Sequence, residues 1–86
     1  MYAVIWKTFL LDRLADIYVL AGPGERTRIA VGLTSFNDRL AIDPFEVGES
    51  RDGGYRVAFP PLMQVSFHVD KASYRVRVTD IIRYGS

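Results

Sequence analysis

The second half of the chain holds three consecutive runs rich in strand-forming residues, and these runs constrain the fold more than any other feature. They cover residues 55–59, 62–69 and 74–82. Side chains along a strand alternate between two faces, so each run divides into two sets. The simplest assembly is an antiparallel sheet with one apolar face, which needs a cover, and one polar face.

Alternation also predicts which side chains share each face. The apolar face is predicted to carry Tyr55, Val57, Phe59, Met63, Val65, Phe67, Val69, Tyr74, Val76, Val78 and Ile82, with Asp80 as an exception. The polar face is predicted to carry Arg56, Gln64, Ser66, His68, Arg75, Arg77 and Arg83. A row of arginines suits phosphates or an acidic protein segment, whereas a solvated outer face is the plain alternative.

The first half of the chain predicts the cover for the apolar face. Residues 2–7 form a short apolar strand, and Thr8 is a candidate N-cap for a helix that begins at Phe9 and ends near Ala21. A second helix is predicted over residues 25–42, where Asp43-Pro44 stops it. Residues 45–54 are then a loop. The sequence therefore predicts one α+β domain over residues 1–86, with a helical hairpin on one face of the sheet.

Composition excludes several classes of site. The chain has no Cys and one His, which argues against a disulfide framework and against a Cys- or His-based metal site. No cofactor-binding fingerprint is present. The sequence also lacks an apolar run of about 18 residues and a signal-like N-terminus. We therefore expect a cytoplasmic protein without a membrane partner.

Charge is unevenly distributed although the net charge is only +1. Residues 1–50 hold five basic and seven acidic side chains, which gives −2, and residues 51–86 hold six basic and three acidic ones, which gives +3. The positive charge therefore belongs to the predicted sheet. This distribution favours an anionic partner, although inert domains show asymmetries of this size as well.

Several features together resemble the RelE/ParE-type toxins of bacterial type II toxin–antitoxin modules. They are the short first strand, the helical hairpin that ends at Asp43-Pro44, the segment 47–56 and a last strand that closes on Ile82-Arg83-Tyr84. The resemblance spans nearly the whole chain and implies a small α+β domain whose curved sheet carries the working surface. It also implies a cognate antitoxin as partner. The implied target is either mRNA on the ribosome, which is cleaved, or DNA gyrase, which is poisoned.

The resemblance implies roles for individual residues. Arg56 and Arg83 match basic positions of the RNA-cleaving members and become candidate catalytic residues, because attack of a ribose 2′-hydroxyl on a phosphate needs stabilisation of negative charge. The candidates for binding nucleic acid or the partner are Arg51, His68, Arg75, Arg77 and Tyr84.

Two departures from the family pattern leave the activity open. Met63 stands where RNA-cleaving members carry an Arg early in the third strand, and the chain ends Arg83-Tyr84-Gly85-Ser86 without the terminal His-Tyr pair of some members. An mRNA endoribonuclease would therefore work with an incomplete catalytic set. The alternative is a non-catalytic RelE/ParE-like domain that binds a protein or a nucleic acid.

Overall fold

The protein folds as two helices packed on one face of a five-stranded sheet, in a computed structural model that describes residues 1–84. The elements are β1 (Ala3–Trp6), α1 (Thr8–Leu20), α2 (Pro23–Ile42), β2 (Glu49–Ser50), β3 (Tyr55–Ala58), β4 (Met63–Asp70) and β5 (Arg75–Arg83). Short 3₁₀ turns at Pro44–Glu46 and Asp52–Gly54 flank β2. Residues 85–86, where the family's terminal His-Tyr pair is missing, lie outside the described residues.

The sheet has the strand order β1-β5-β4-β3-β2 and is mixed. Strand β1 runs parallel to β5, and the other three pairs are antiparallel. The α+β class is confirmed, but the prediction of a three-stranded antiparallel sheet is wrong in this detail. The helical hairpin carries the chain from β1 at one edge of the sheet to β2 at the other edge. The two-residue β2 is too short to leave a pattern in the sequence.

Both helices occupy the predicted parts of the chain, with differences at their starts. Helix α2 begins at Pro23, because a proline suits the first helical turn and because the Glu25 carboxylate accepts the Gly22 backbone N–H at 3.0 Å. It ends at Ile42, as predicted. Helix α1 begins at Thr8 itself, so the predicted N-cap role of Thr8 is wrong.

One arginine joins the two helices of the hairpin. Arg26, in the first turn of α2, donates from Nε to the Tyr18 carbonyl at 3.0 Å and from Nη2 to the Val19 carbonyl at 2.7 Å. These carbonyls belong to the last turn of α1, where helix geometry leaves few backbone donors for them; the Ala21 N–H also donates to the Tyr18 carbonyl, at 3.2 Å. Arg26 therefore satisfies the end of α1 and fixes the turn at the same time.

A single apolar core lies between the helices and the sheet. In β4 the side chains alternate as predicted, with Met63, Val65, Phe67 and Val69 all buried. The rings of Phe67 and Phe36 meet edge to face with centroids 6.0 Å apart. The other buried apolar residues are Leu10, Ile17, Ala21, Ile29, Leu40, Val47, Ala58, Val76, Val78 and Ile81.

A β-bulge in β5 changes the faces predicted for the end of this strand. Phe67 pairs with Val78 and Ser66 with Asp80, so Thr79 is an extra residue. Its hydroxyl donates to the Ser66 carbonyl at 3.2 Å. An inserted residue reverses the alternation beyond it. Ile81 is consequently buried and Ile82 is exposed, the opposite of the prediction.

Strand β3 also presents the opposite faces to those predicted. Ala58 pairs with Val65 and is buried, so the residues in phase with it face the helices. Arg56 is in phase with Ala58 and pairs with Phe67, which places it on the helix side. Tyr55 and Phe59 are exposed. The prediction that Arg56 shares a face with His68 is therefore wrong.

Candidate nucleic-acid interface

The sheet face opposite the helices, which we call the open face, carries a row of four side chains across four strands. Cross-strand register aligns Ile5 of β1 with Arg77 of β5, Arg77 with His68 of β4, and His68 with Tyr55 of β3. Neighbours in such a row have Cβ atoms about 5 Å apart. The row therefore brings a guanidinium, an imidazole and a phenol ring together without any contribution from a loop.

His68 is held on both sides within this row. Its ring meets the Tyr55 ring edge to face, with centroids 4.8 Å apart. Its Nε2 lies 3.1 Å from the Gly53 carbonyl oxygen. Because a carbonyl oxygen only accepts, this contact assigns the proton of the neutral ring to Nε2 and leaves Nδ1 as the nitrogen with a lone pair. The 3₁₀ turn before β3 thus fixes the imidazole.

Arg75 extends the positive charge along β5 toward the end of the sheet. It pairs with Asp70, but the Asp70 carboxylate instead accepts the Ser73 hydroxyl at 2.7 Å and the Ser73 backbone N–H at 3.3 Å. These hydrogen bonds hold the pKa of Asp70 below its ordinary value. Within residues 1–84, neither Arg75 nor Arg77 forms an ion pair. Both guanidiniums are therefore available to an anion.

The other end of the open face is aromatic. Phe59 and Tyr84 are both about half exposed, and their ring centroids lie 5.4 Å apart with the planes tilted by 55°. The Tyr84 backbone N–H donates to the Leu62 carbonyl at 2.9 Å, which ties the end of the sheet to the β3–β4 turn. Ile82 pairs with Gln64 beside them. From Gln64 to His68 the strand spans about 13 Å, so the two ends are separate halves of one surface.

The two predicted catalytic arginines lie apart from this surface. Arg56, on the helix side, donates from Nε to the Val47 carbonyl at 2.9 Å and from Nη2 to the Gly48 carbonyl at 3.1 Å. Arg83 pairs with Met63 beyond the bulge, and its Nη2 lies 3.4 Å from the Glu25 carboxylate. Each guanidinium thus has partners within the fold.

Four of the five other predicted binding residues lie on the open face. They are His68, Arg75, Arg77 and Tyr84. Arg51 does not join them, because its guanidinium contacts Glu49 at 3.2 Å and the Ser50 carbonyl at 3.1 Å.

Two residues of the open face, Tyr55 and Phe59, were missed by alternation because the sequence assigned them to the core. The available signal was Ala58, whose small side chain faces the crowded core while the larger residues beside it point outward.

The side chains of the open face suit the binding of single-stranded nucleic acid. Guanidiniums bind phosphate oxygens, and exposed aromatic rings stack on unpaired bases, which is how single-stranded nucleic acid is commonly recognised. Two carboxylates of the sheet are engaged within the fold, Asp70 with Ser73 and Asp80 with Arg13. Among residues 1–84 there is no group of three or more His, Asp or Glu side chains that could hold a metal ion.

Comparison with known proteins adds no identification. No family model, no curated protein and no solved structure matches the chain. Within residues 1–84, neither helix combines the length and the apolar character needed to cross a membrane.

Proposed function

We propose that this protein is a toxin-like component of a type II toxin–antitoxin module that binds single-stranded RNA on its open face and inhibits translation in the cytoplasm. The observation that carries the proposal is the pair Arg75 and Arg77, which have no ion-pair partner within residues 1–84 and lie beside His68 and Tyr55. The aromatic pair Phe59 and Tyr84 supplies the stacking surface at the other end. Phosphate contacts give affinity, and stacking favours unpaired bases over a duplex.

Binding is tested with a short labelled single-stranded RNA titrated at several salt concentrations. Each phosphate contact contributes about 0.7 to the slope of log affinity against log salt for a single strand. Arg75→Ala and Arg77→Ala should each weaken binding and reduce that slope by about this amount. Arg39→Ala, which removes an exposed arginine on the helix side, should leave both unchanged. Equal losses in all three variants would mean that only net charge matters.

The toxin-like role is tested by growth after induced expression, with labelling of new protein and new DNA. The proposal expects arrest in which protein synthesis falls first, and relief of the arrest by the Arg75→Ala, Arg77→Ala double variant. If DNA synthesis falls first, the target is gyrase instead. Unaffected growth with folded protein confirmed in the cell would refute the toxin-like role.

A groove between the two helices is the surface on which we propose that the antitoxin binds. Its volume is about 420 Å³. The lining is apolar and includes Leu11, Leu14, Tyr18, Val19, Ile29 and Leu33. Such a groove suits the apolar face of an amphipathic helix, as in other helix-in-groove complexes. Because the groove and the open face lie on opposite sides of the sheet, the antitoxin would leave the arginine row uncovered unless it wraps around the domain.

A non-catalytic interaction domain is the second candidate, and a specific observation favours it. Arg56 and Arg83, the candidate catalytic arginines, are both engaged within the fold. Such a domain would bind RNA or a protein through the open face but would not inhibit translation. Cell-free translation of a reporter mRNA with the added protein separates the two candidates, because only the toxin-like component lowers protein synthesis.

A further inference from the structure

The outer edge of β1 exposes backbone groups that have no partner within the part of the chain that the structure describes. Ala3 donates its N–H to the Tyr74 carbonyl at 2.9 Å, so in this parallel pair the peptide groups of Ala3 and Ile5 point toward β5. Those of Val4 and Trp6 therefore point away from the sheet. Neither residue makes a backbone hydrogen bond on that side within residues 1–84.

The unpaired edge formed by Val4 and Trp6, which we call the gap, is bounded on both sides by backbone groups that have partners. Before the gap, the Tyr2 N–H donates to the Ala41 carbonyl at the end of α2, at 2.7 Å. Beyond β1, Arg13 of α1 donates to the Ile81 carbonyl of β5 at 3.0 Å. The opposite sheet edge, β2, has two residues and includes the charged Glu49. Short and charged edges resist strand addition, whereas β1 carries neither charge nor proline.

We propose that the outer edge of β1 pairs with the same edge of a second copy of this chain, which forms a twofold-symmetric dimer with a continuous sheet. In an antiparallel pair, residues that exchange both hydrogen bonds lie directly opposite each other. With Val4 opposite Trp6 of the second copy, and Trp6 opposite Val4, the four outward groups of each chain all find partners. Ile5 then faces Ile5 of the second copy at the axis, with Cα atoms about 4.5 Å apart.

The side chains around the gap suit this pairing. Val4 and Trp6 pack against the core but remain partly exposed, and Ile5 is 37% exposed on the open side. The register also brings the start of α1 in one copy toward the end of α2 in the other. Phe9 is 53% exposed in the first region and Ile42 is 70% exposed in the second. A strand of four residues buries little surface, so the dimer should be a weak one.

Cysteine cross-linking tests the register directly, since the chain contains no Cys of its own. A Cα separation of about 4.5 Å at the axis is within disulfide range. Ile5→Cys should therefore form a disulfide-linked dimer under mild oxidation. Ala3→Cys is the matched control, because the pairing puts it about 14 Å from Ala3 of the second copy. Equal cross-linking of the two variants, or none in either, would overturn the proposal.

Sedimentation tests the association without any disulfide. The average mass should rise from 9.7 kDa toward twice that value as concentration increases from about 10 µM to about 1 mM, the range expected for a small interface. Ile5→Lys, which places like charges opposite each other, should abolish the rise. Ile82→Lys changes an exposed apolar residue away from this edge and should not. A chain that stays monomeric throughout this range contradicts the proposal, and so does an equal response of the two lysine variants.

Loss of RNA binding does not affect this inference. The Ile5→Cys variant should form the same disulfide-linked dimer when Arg75→Ala and Arg77→Ala are added to it. This result does not depend on whether the open face binds RNA. If the edge of β1 instead accepts a strand from a different protein, the isolated chain will be monomeric and the proposal fails.

Discussion

Replacement of Arg56 by alanine separates a structural role for this residue from the catalytic role expected from the sequence. The guanidinium donates one hydrogen bond to the Val47 carbonyl and one to the Gly48 carbonyl. A hydrogen bond of this kind contributes about 1 kcal/mol net. Two such bonds set the expected loss of unfolding free energy in the variant at about 2 kcal/mol, and the exposure of the bond to Gly48 makes this an upper value.

Thermal unfolding followed by circular dichroism measures this loss. For a domain of this size, about 2 kcal/mol corresponds to a fall in Tm of roughly 8–16 °C. Arg56→Lys should be intermediate, since a single ammonium cannot reproduce the planar fork that reaches both carbonyls. Arg75→Ala is the control, because an exposed residue that forms no ion pair within residues 1–84 should change stability by less than about 0.5 kcal/mol.

The two variants should also differ in RNA binding, where Arg75→Ala and not Arg56→Ala should show the loss. Measured well below its Tm, Arg56→Ala should bind a single-stranded RNA as the unchanged chain does, and Arg75→Ala should bind more weakly. If Arg56→Ala kept its Tm but lost growth inhibition, the structural argument would be refuted and the catalytic hypothesis restored.

Three other predictions concern the fold. Gly48→Ala should lower the free energy of unfolding by about 2 kcal/mol or more, because Gly48 has φ of +69° and a Cβ there would overlap the Val57 carbonyl oxygen. Gly24→Ala is the control: a Cβ at Gly24 has nothing within 4 Å, so this variant should keep or raise Tm. Glu25→Gln should be less stable than the unchanged chain at pH 7. The Gly22 N–H and then Arg83 lower the pKa of the Glu25 carboxyl. The ionised carboxylate therefore stabilises the fold fully at pH values above the ordinary pKa of about 4.3, and this stabilisation disappears as pH falls through the lowered pKa. The Tm difference should then vanish in acid. Because Phe67 is fully buried, Phe67→Ala should lower the free energy of unfolding by about 3–5 kcal/mol, and Phe67→Leu should lower it by less than about 1.5 kcal/mol. Unfolding in urea measures both losses.

The helices could be predicted from the sequence because local signals end them. Gly and Pro residues between the helices, and Asp43-Pro44 after the second one, act through the backbone of their immediate neighbours. Those signals need no knowledge of the remaining fold. The apolar alternation of β4 was equally clear, because its burial is uniform from Met63 to Val69. The ends of both helices and the buried face of β4 were therefore predicted correctly, whereas the starts of the helices were not.

The faces of β3 and of the end of β5 could not be predicted by alternation, because register depends on residues far apart in the chain. Alternation gives two sets for each strand but does not say which set faces the helices. In β3 the pairing with β4 decides this, and it buries Ala58. In β5 the misplaced Asp80 was the signal of a bulge at Thr79, and a single inserted residue reverses everything that follows.

These reversals matter for function because they place Arg56 and Arg83 on the helix side, away from the open face. Six basic residues follow residue 50. Three of them, Arg51, Arg56 and Arg83, contact carbonyls or carboxylates of the fold. Only Arg75 and Arg77 remain as arginines of the open face, so the expected salt slope for RNA is about 1.4 rather than the roughly 3.5 that five arginines would give. Under the proposed function, RNA would be recognised through the geometry of two guanidiniums and the rings of Tyr55 and Phe59, with a small contribution from net charge.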